Sequence, residues 1–168
     1  QNGVLIFGDC GVIPEPTAEQ LADIAVSSAE KARSLANIDD PKVALLSFST
    51  YGSASSDDVT RVQEAAEILK SRNVDFKFGG ELQFDAAVVP SVSAKKAPNS
   101  EIKGEANVLI FPDLGSGNIG YKIAQRLGNL NALGPILQGL NAPVNDLSRG
   151  CSIQDVYELS IVTAAQSL

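Results

Sequence analysis

The 168-residue sequence predicts an α/β domain, a mostly parallel sheet with flanking helices. Short apolar runs alternate along the chain with stretches in which apolar residues recur every three or four positions, the spacing of an amphipathic helix. Two of the runs, "KVALLSFS" and "NVLIF", are apolar at most positions, as strands are when both faces of a parallel sheet are covered. The apolar fraction of 44% is large enough for a buried core.

The first half of the chain predicts two strand–helix units. "GVLIFGD" (3–9) predicts the first strand, and Thr17 the N-cap of the first helix, with Gln20 completing a capping box. Residues 42–49 predict the second strand, and 59–69 the second helix. The stretch that follows, "DFKFGGELQFDAAVVP", predicts a short strand, a glycine turn and a helical or irregular piece.

The second half predicts a third buried strand, "NVLIF", then a glycine-rich turn and a helix that stops near Gly128. "ALGPILQGL" predicts a further strand, interrupted by Pro135. The last helix is expected over 152–165, with Ser152 as its N-cap and Asp155 at the third helical position.

Composition excludes several function classes. Without histidine, the chain has no Ser-His-Asp or Cys-His nucleophile pair and no histidine-based zinc site, and we expect no metal centre. The net charge of −7 disfavours nucleic-acid binding through a broad basic face. No apolar run has the length of a membrane span, and no signal peptide opens the chain. Cys10 and Cys151 make a poor disulfide framework, so we expect a cytoplasmic protein. The start at Gln-Asn-Gly suggests the middle of a longer protein.

Two glycine-rich loops follow predicted strands, where open α/β sheets bind ligands. "STYGSAS" (49–55) offers hydroxyls and backbone N–H groups that suit phosphate, although such loops are often only turns. "PDLGSGNIGYK" (112–122) precedes a helix, and its glycines allow a ligand to approach the backbone closely. Arg126, further along that helix, is either an anion contact or a solvated helix charge. The substrate-binding candidates in this segment are Ser116, Gly117, Asn118, Tyr121 and Arg126.

A third candidate is the stretch "VNDLSRGCSIQDVYELSI" (144–161). Ordinary helix-start chemistry explains Ser152 and Asp155, but not the preceding "SRG". An arginine beside a glycine at a helix start combines fixed charge with free N–H groups, so it suits an oxyanion or phosphate. A carboxylate near such a clamp could act as a general base.

Cys151 occupies the same turn, where the helix start and Arg149 would lower the pKa of its thiol. A nucleophilic role is therefore one interpretation. A packing or substrate-contact role is the other, and the absence of histidine favours it.

Long stretches of the sequence resemble the phosphate acetyltransferase family. The resemblance spans nearly the whole chain and corresponds to the carboxyl-terminal half of enzymes about twice this length. The residues that carry it are "DCGVIPEPTAEQLADIA", "GELQFDAA", "KAPNS", "NVLIFPDLGSGNIGYKIAQRLG" and "GPILQGLNAPVNDLSRGC".

The resemblance implies reversible acetyl transfer between CoA and phosphate in a cytoplasmic homodimer, with small-molecule substrates and no tightly bound cofactor. It implies two α/β lobes similar to isocitrate and isopropylmalate dehydrogenases, with the active site in the cleft between them. Residues 1–135 would form the second lobe, and 136–168 would return to the first. One departure is Tyr51, which stands where the family usually has lysine.

The resemblance also implies roles for individual residues. Asp155 would take the proton of the CoA thiol, Ser148 would orient the reacting groups, and Arg149 would hold the phosphate or the acyl oxygen. Arg126 would be a further site arginine. Reference pKa values of a thiol and an aspartate differ by about 4.6 units, so the site must narrow that gap, and we expect a dry pocket around Asp155 when CoA is bound.

Three alternatives to this enzyme remain open at the level of sequence. The chain could be a non-catalytic acetyl-CoA-sensing regulatory domain, as in modules fused behind malic enzymes. It could belong to a phosphate butyryltransferase. It could also be a piece without activity of its own, since half of an active site between two lobes would be missing; little turnover is then expected from these 168 residues alone.

Overall fold

A computed structural model describes residues 3–167 and contains a four-stranded, all-parallel sheet in the order β1-β4-β2-β3. The predicted fold class, an α/β fold with a mostly parallel sheet and flanking helices, is thereby confirmed. The strands are β1 (Ile6–Gly8), β2 (Lys42–Leu46), β3 (Lys77–Leu82) and β4 (Val108–Ile110). The helices are α1 (Ala18–Ala36), α2 (Asp57–Ser71), α3 (Phe84–Val88), α4 (Pro90–Lys96), α5 (Leu114–Arg126) and α6 (Ile153–Ala165).

The chain divides into two compact units, one up to Asn118 and one from Ile119 onward. The first contains the whole sheet, helices α1 to α4 and the start of α5; the second contains the rest of α5, a long irregular segment and α6. The expectation that residues 136–168 return to another lobe stays a prediction. No helix within residues 3–167 is both long enough and apolar enough to cross a membrane.

The core of the first unit lies on both faces of the sheet. Alternate residues of β2 point to opposite sides, so Val43 and Leu45 join one cluster while Ala44 and Leu46 join the other. The first cluster contains side chains of α1 and α2, and the second contains side chains of α3. Burial on both faces is why β2 and β4 read as unbroken apolar runs in the sequence.

The predicted capping box of α1 is confirmed. The Thr17 hydroxyl accepts the N–H of Gln20 at 3.2 Å, and the Gln20 side chain accepts the N–H of Thr17 at 2.9 Å. At the far end of α2, the Arg72 guanidinium pairs with Glu19 and Asp23 of α1, both at 2.7 Å. The two helices are therefore joined by charge at the surface as well as by packing beneath it.

The predicted glycine turn after a short strand is wrong, because Gly79 and Gly80 lie within β3. A Cβ on Gly80 would stand 2.7 Å from Cβ of Leu45 on β2, and one on Gly79 would stand 3.0 Å from Leu82. The glycines therefore serve close packing against neighbouring side chains rather than a change of chain direction.

The strand predicted for "ALGPILQGL" is also wrong: no strand occurs between residues 127 and 152. Pro135 has no N–H to give to a ladder. The N–H of Leu137 donates instead to the side-chain oxygen of Asn145 at 2.9 Å. Asn145 in turn donates to Thr163 at 2.8 Å and Gln166 at 2.6 Å, so a side-chain amide holds this segment where a sheet was expected.

We predict that Leu45→Ala lowers the free energy of unfolding by about 3 kcal/mol, because it leaves a cavity beside the central strand. Leu45 is 1% exposed, whereas Val12 in the loop after β1 is 58% exposed. Val12→Ala, the control, is expected to change stability by less than about 0.5 kcal/mol. Urea denaturation of both variants checks this; equal losses would contradict the assignment of the core.

Candidate functional site

The start of α6 is a turn followed by a capped helix. The Ser148 hydroxyl accepts the N–H of Gly150 at 3.2 Å, and its carbonyl accepts the N–H of Cys151 at 3.0 Å. Ser152 then caps the helix: its hydroxyl accepts the N–H of Asp155 at 3.1 Å, and Asp155 Oδ2 accepts the N–H of Ser152 at 2.7 Å. The predicted capping box with aspartate at its third position is confirmed.

Positive charge and the carboxylate occur together in this second unit. Ser148 and Arg149 are exposed, and Asp155 is partly exposed. Among residues 3–167 the Arg149 side chain makes no hydrogen bond or ion pair, so its charge is open to an anion. The charge of Arg126 acts on Asp155. The structure thus brings Arg126 into electrostatic range of Asp155 and exposes Arg149 in the turn before it.

The pKa of Asp155 lies below its ordinary value. The main cause is the hydrogen bond from the Ser152 N–H, followed by the interaction with the Ser152 side chain. Desolvation acts in the opposite direction, and the charge of Arg126 adds a smaller lowering effect. Asp155 is therefore a weaker base here than a free aspartate. A proton-accepting role requires its surroundings to change when substrates bind.

The glycine-rich segment at the start of α5 uses its donors internally. Ser116 donates its N–H to Asp113 Oδ1 at 2.8 Å and its hydroxyl to the Asp113 carbonyl at 2.9 Å. The N–H of Gly117 also reaches the Asp113 carbonyl, at 3.1 Å, and the N–H of Leu114 reaches the Pro14 carbonyl at 3.1 Å. Asp113 therefore occupies the helix N-terminus that the sequence suggested for a ligand.

Gly117 and Asn118 tie α5 to the loop after β1. Gly117 is buried, and a Cβ there would collide with the carbonyl oxygen of Asp9. The Asn118 amide donates to the Cys10 carbonyl at 3.1 Å. Tyr121, in the second unit, is partly exposed, and the ammonium of Lys122 stands 5.7 Å from the centre of its ring. Ser116, Gly117 and Asn118 thus have structural partners, and substrate binding by the four residues stays a prediction.

Most backbone donors of the loop after β2 are also used inside the protein. The sequence suggested that its N–H groups suit phosphate, but all six from residue 49 to 54 are bonded inside the protein. Their acceptors are, in order, the Ser47 hydroxyl, the Ser53 hydroxyl, the Glu81 carbonyl, the Glu81 carboxylate, the Thr50 carbonyl and the Ser49 hydroxyl. Glu81 was not singled out in the sequence, because its burial depends on the partners that surround it.

The two cysteines are free thiols in different settings. Burial, and then the charge of Asp9, raise the pKa of Cys10 to about 12, so Cys10 is unreactive at neutral pH. Cys151 is exposed in the turn before α6. Its proposed roles as a nucleophile or a substrate contact stay untested. Among residues 3–167, no three His, Cys, Asp or Glu side chains are grouped so as to hold a metal ion.

We predict that the Asp155 carboxyl titrates below the ordinary aspartate pKa of about 3.9 in carboxyl NMR. Ser152→Ala removes the hydroxyl and should move the midpoint upward. Because the folded pKa is depressed, the capping interaction stabilises α6 above the unfolded pKa and is lost as the pH falls through the folded one. A midpoint that does not move in Ser152→Ala would contradict this cause.

We further predict that Gly117→Ala lowers the free energy of unfolding by about 2 kcal/mol, because the new methyl group meets backbone rather than a movable side chain. Gly115→Ala, on the same helix, is the control. Its Cβ would meet only the Asp113 carboxylate, at 3.0 Å. Thermal denaturation should show little loss for the control, about 1 kcal/mol at most, because alanine favours a helix. Similar losses in both would contradict the close approach of Asp9.

Comparisons with known proteins agree with this fold and sequence. The family described as phosphate acetyl/butaryl transferase matches residues 1–164. A phosphate acetyltransferase of Staphylococcus aureus is 61% identical over 167 residues, which are 97% of this chain and 50% of that protein. The solved structure of the EutD phosphotransacetylase from the same species superposes with a TM-score of 0.90 at 60% identity, over 98% of this chain and 50% of that one.

A more distant structure, a branched-chain phosphotransacylase from Enterococcus faecalis V583, has a TM-score of 0.80 at 25% identity and covers 95% of this chain and 58% of that one. The chain spans about half the length of the curated relatives it matches. These matches confirm the resemblance read from the sequence. With a family match over nearly all of its residues, the chain belongs to the phosphate acetyl- and butyryltransferase family.

Proposed function

We propose that this chain is the carboxyl-terminal half of a phosphate acetyltransferase, which transfers an acetyl group reversibly between CoA and phosphate. The supporting observation is its 61% identity over 97% of its length to curated phosphate acetyltransferases. The turn before α6 adds support, because it contains an exposed arginine, Arg149, and precedes the capped carboxylate of Asp155, and the reaction requires one charge of each sign.

The proposed reaction proceeds in a ternary complex without a covalent enzyme intermediate. The CoA sulfur attacks the carbonyl carbon of acetyl phosphate, the bond from that carbon to the phosphate oxygen breaks, and the thiol proton passes to Asp155. Arg149 holds the phosphate or the developing oxyanion, Arg126 adds positive charge, and Ser148 orients the reacting groups. No histidine is needed for any of these steps.

The base role carries one physical requirement. In the free chain the pKa of Asp155 is depressed, chiefly by the Ser152 N–H. Substrates and the missing half must therefore dehydrate Asp155, or loosen its bond to Ser152, before it can take a proton from a thiol. The dry pocket expected around Asp155 in the CoA complex meets this requirement.

Apolar side chains of the second unit support the proposal that residues 136–168 return to another lobe. Ile153 is 91% exposed, Tyr157 63% and Ile161 53%, all on α6. A helix that leaves such residues in water commonly packs against further protein. The proposed homodimer, its cytoplasmic location, and small-molecule substrates without a tightly bound cofactor rest on the family.

Two other functions are tested by the same assays. The branched-chain phosphotransacylase at 25% identity makes a longer acyl chain the second candidate, which acyl phosphates of increasing length distinguish. A non-catalytic acetyl-CoA sensor would bind CoA without turnover. A malic-enzyme domain in the upstream sequence would favour the sensor.

We predict that Asp155→Asn lowers kcat of the full-length protein at least about 100-fold, because amide nitrogen and oxygen cannot take the thiol proton. Glu158→Gln is the matched control: it removes a carboxylate one turn later on α6, which accepts amide hydrogen bonds from Asn131 at 3.2 Å and Gln154 at 2.8 Å. Its rate should stay close to wild type. A near-normal rate for Asp155→Asn in a thioester assay would rule out the base role.

We also predict that the full-length protein turns over acetyl phosphate and CoA, whereas the 168-residue chain alone does so poorly. The physical reason is that a cleft between two lobes loses one wall in the isolated chain. Thioester formation measured side by side on the two proteins checks this. Equal rates would refute the cleft, and no turnover by either would refute acetyl transfer.

A further inference from the structure

At the carboxyl ends of β2 and β3, in the first unit, the chain goes to opposite faces of the sheet. The chain leaves β2 toward α2, which packs with α1 on one face of the sheet, and leaves β3 toward α3 on the opposite face. In open parallel sheets, ligands bind where loops from neighbouring strands go to opposite faces. We therefore expect a crevice between the loop of residues 47–54, called here the β2 loop, and the start of α3.

Glu81 is buried in the strand beneath the β2 loop, with 2% of its surface exposed. Its Oε1 accepts the N–H of Gly52 at 2.6 Å and the hydroxyl of Ser49 at 2.8 Å. Its Oε2 accepts the side-chain amide of Gln63 at 3.2 Å, and its carbonyl accepts the N–H of Tyr51 at 3.1 Å. Glu81 thus accepts hydrogen bonds from three residues of the loop and from one residue of α2.

The backbone of the β2 loop is bent to reach this carboxylate. Tyr51 and Gly52 both have left-handed conformations, with φ of 45° and 83°. The pair turns two successive N–H groups toward Glu81. Within residues 3–167 Glu81 forms no ion pair. Burial alone would raise the pKa of Glu81, but hydrogen bonds from Gly52, Ser49 and Gln63 hold it below its ordinary value.

The β2 loop leaves two aromatic side chains about half exposed, and the hydroxyl of Tyr51 lies beside Gly79 of β3. Phe48 is 58% exposed and Tyr51 48%, and Phe84 across the crevice is 53% exposed. Gln83 joins the two sides: its N–H donates to the Thr50 hydroxyl at 3.0 Å and its side chain to the Phe48 carbonyl at 3.0 Å. Three exposed aromatic side chains on adjoining segments make this region a candidate binding surface.

We propose that Glu81 is a positioning residue for CoA: its buried carboxylate holds the β2 loop so that Phe48 and Tyr51 form an aromatic subsite for the planar and apolar parts of CoA. This inference rests on the proposed function. CoA carries an adenine ring and an apolar arm, whereas acetyl phosphate carries neither. The N–H groups of residues 49 to 54 are all bonded inside the protein, so this part of the loop is poorly suited to phosphate. We therefore expect the effect of Glu81 to fall on the adenine ring and the apolar arm of CoA.

Two substitutions of Glu81 differ in whether they keep the hydrogen bonds that hold the β2 loop. Glu81→Leu removes every side-chain acceptor and leaves the Gly52 N–H and the Ser49 hydroxyl without their partner. Glu81→Gln keeps one oxygen for those two donors, and its own amide N–H reaches the Gln63 oxygen once the Gln63 amide turns over. The first should release the β2 loop, and the second should preserve it.

Hydrogen exchange of amides 49–54 reports how firmly the β2 loop is held. Steady-state kinetics of the full-length protein give kcat and the KM values for CoA and acetyl phosphate. For Glu81→Leu we expect faster exchange, a KM for CoA raised about tenfold, and kcat and the KM for acetyl phosphate within about threefold of wild type. Glu81→Gln should stay within about twofold in all of them. The double variant Phe48→Leu/Tyr51→Leu should raise the KM for CoA without faster exchange.

Ala65→Gly in α2 is the stability control, because Ala65 is fully buried in the core cluster that contains α1 and α2 and makes none of the hydrogen bonds to Glu81. It should lower Tm and leave the KM for CoA unchanged. The proposal is overturned if Glu81→Leu alters both KM values equally, if Ala65→Gly reproduces its effect, or if the exchange rises while the KM for CoA does not. Should Glu81→Leu fail to fold, an unchanged KM for CoA in the double variant overturns it.

Failure of the proposed function is recognised separately. A wild-type protein that binds CoA in calorimetry without turnover refutes acetyl transfer, and the Kd of CoA then replaces its KM in every comparison above. A wild-type protein that neither binds CoA nor turns over refutes both proposals.

Discussion

Acidic side chains that accept backbone N–H groups hold the loops at the carboxyl edge of the sheet. Asp9 accepts the N–H groups of Gly11, Val12 and Ile13 after β1, at 2.7, 3.1 and 2.7 Å. Glu81 does the same for the β2 loop, and Asp113 for the start of α5 after β4. Where the hydrogen-bonded ladder of the sheet ends, these carboxylates accept backbone N–H groups that would otherwise lack a partner. The shape of the edge depends on these contacts, and so do the side chains that it exposes.

The same contacts restrict how this chain could bind anions. A helix N-terminus and a serine–glycine loop are ordinary phosphate sites when their N–H groups are free. Here every N–H from residue 49 to 54, and those of Ser116 and Gly117, already have acceptors inside the protein, so we expect side chains to supply the charge for an anionic substrate. Several cations are already paired, as Lys96 is with Asp85 at 2.8 Å. Arg149 has no such partner among the described residues, which is why the proposed mechanism gives it the phosphate or the oxyanion.

Asp155 illustrates the conflict between holding a helix and performing catalysis. One carboxylate serves as the cap of α6 and as the proposed base. The cap favours the charged form and depresses the pKa of Asp155, whereas proton transfer from a thiol requires a higher value. Substrate binding would therefore have to replace the capping contacts of Asp155 with surroundings that raise its pKa.

Local patterns in the sequence determined the α/β class, the alternation of β1, α1, β2 and α2, and the capping boxes at Thr17 and Ser152, because each depends on residues a few positions apart. The family was recognised from the resemblance of long sequence stretches to known enzymes. Tertiary structure alone decided that Gly79 and Gly80 lie in a strand, that "ALGPILQGL" is held by Asn145, and that the β2 loop folds around Glu81. Those outcomes depend on partners 8 to 35 positions away that only a folded chain brings within hydrogen-bond distance.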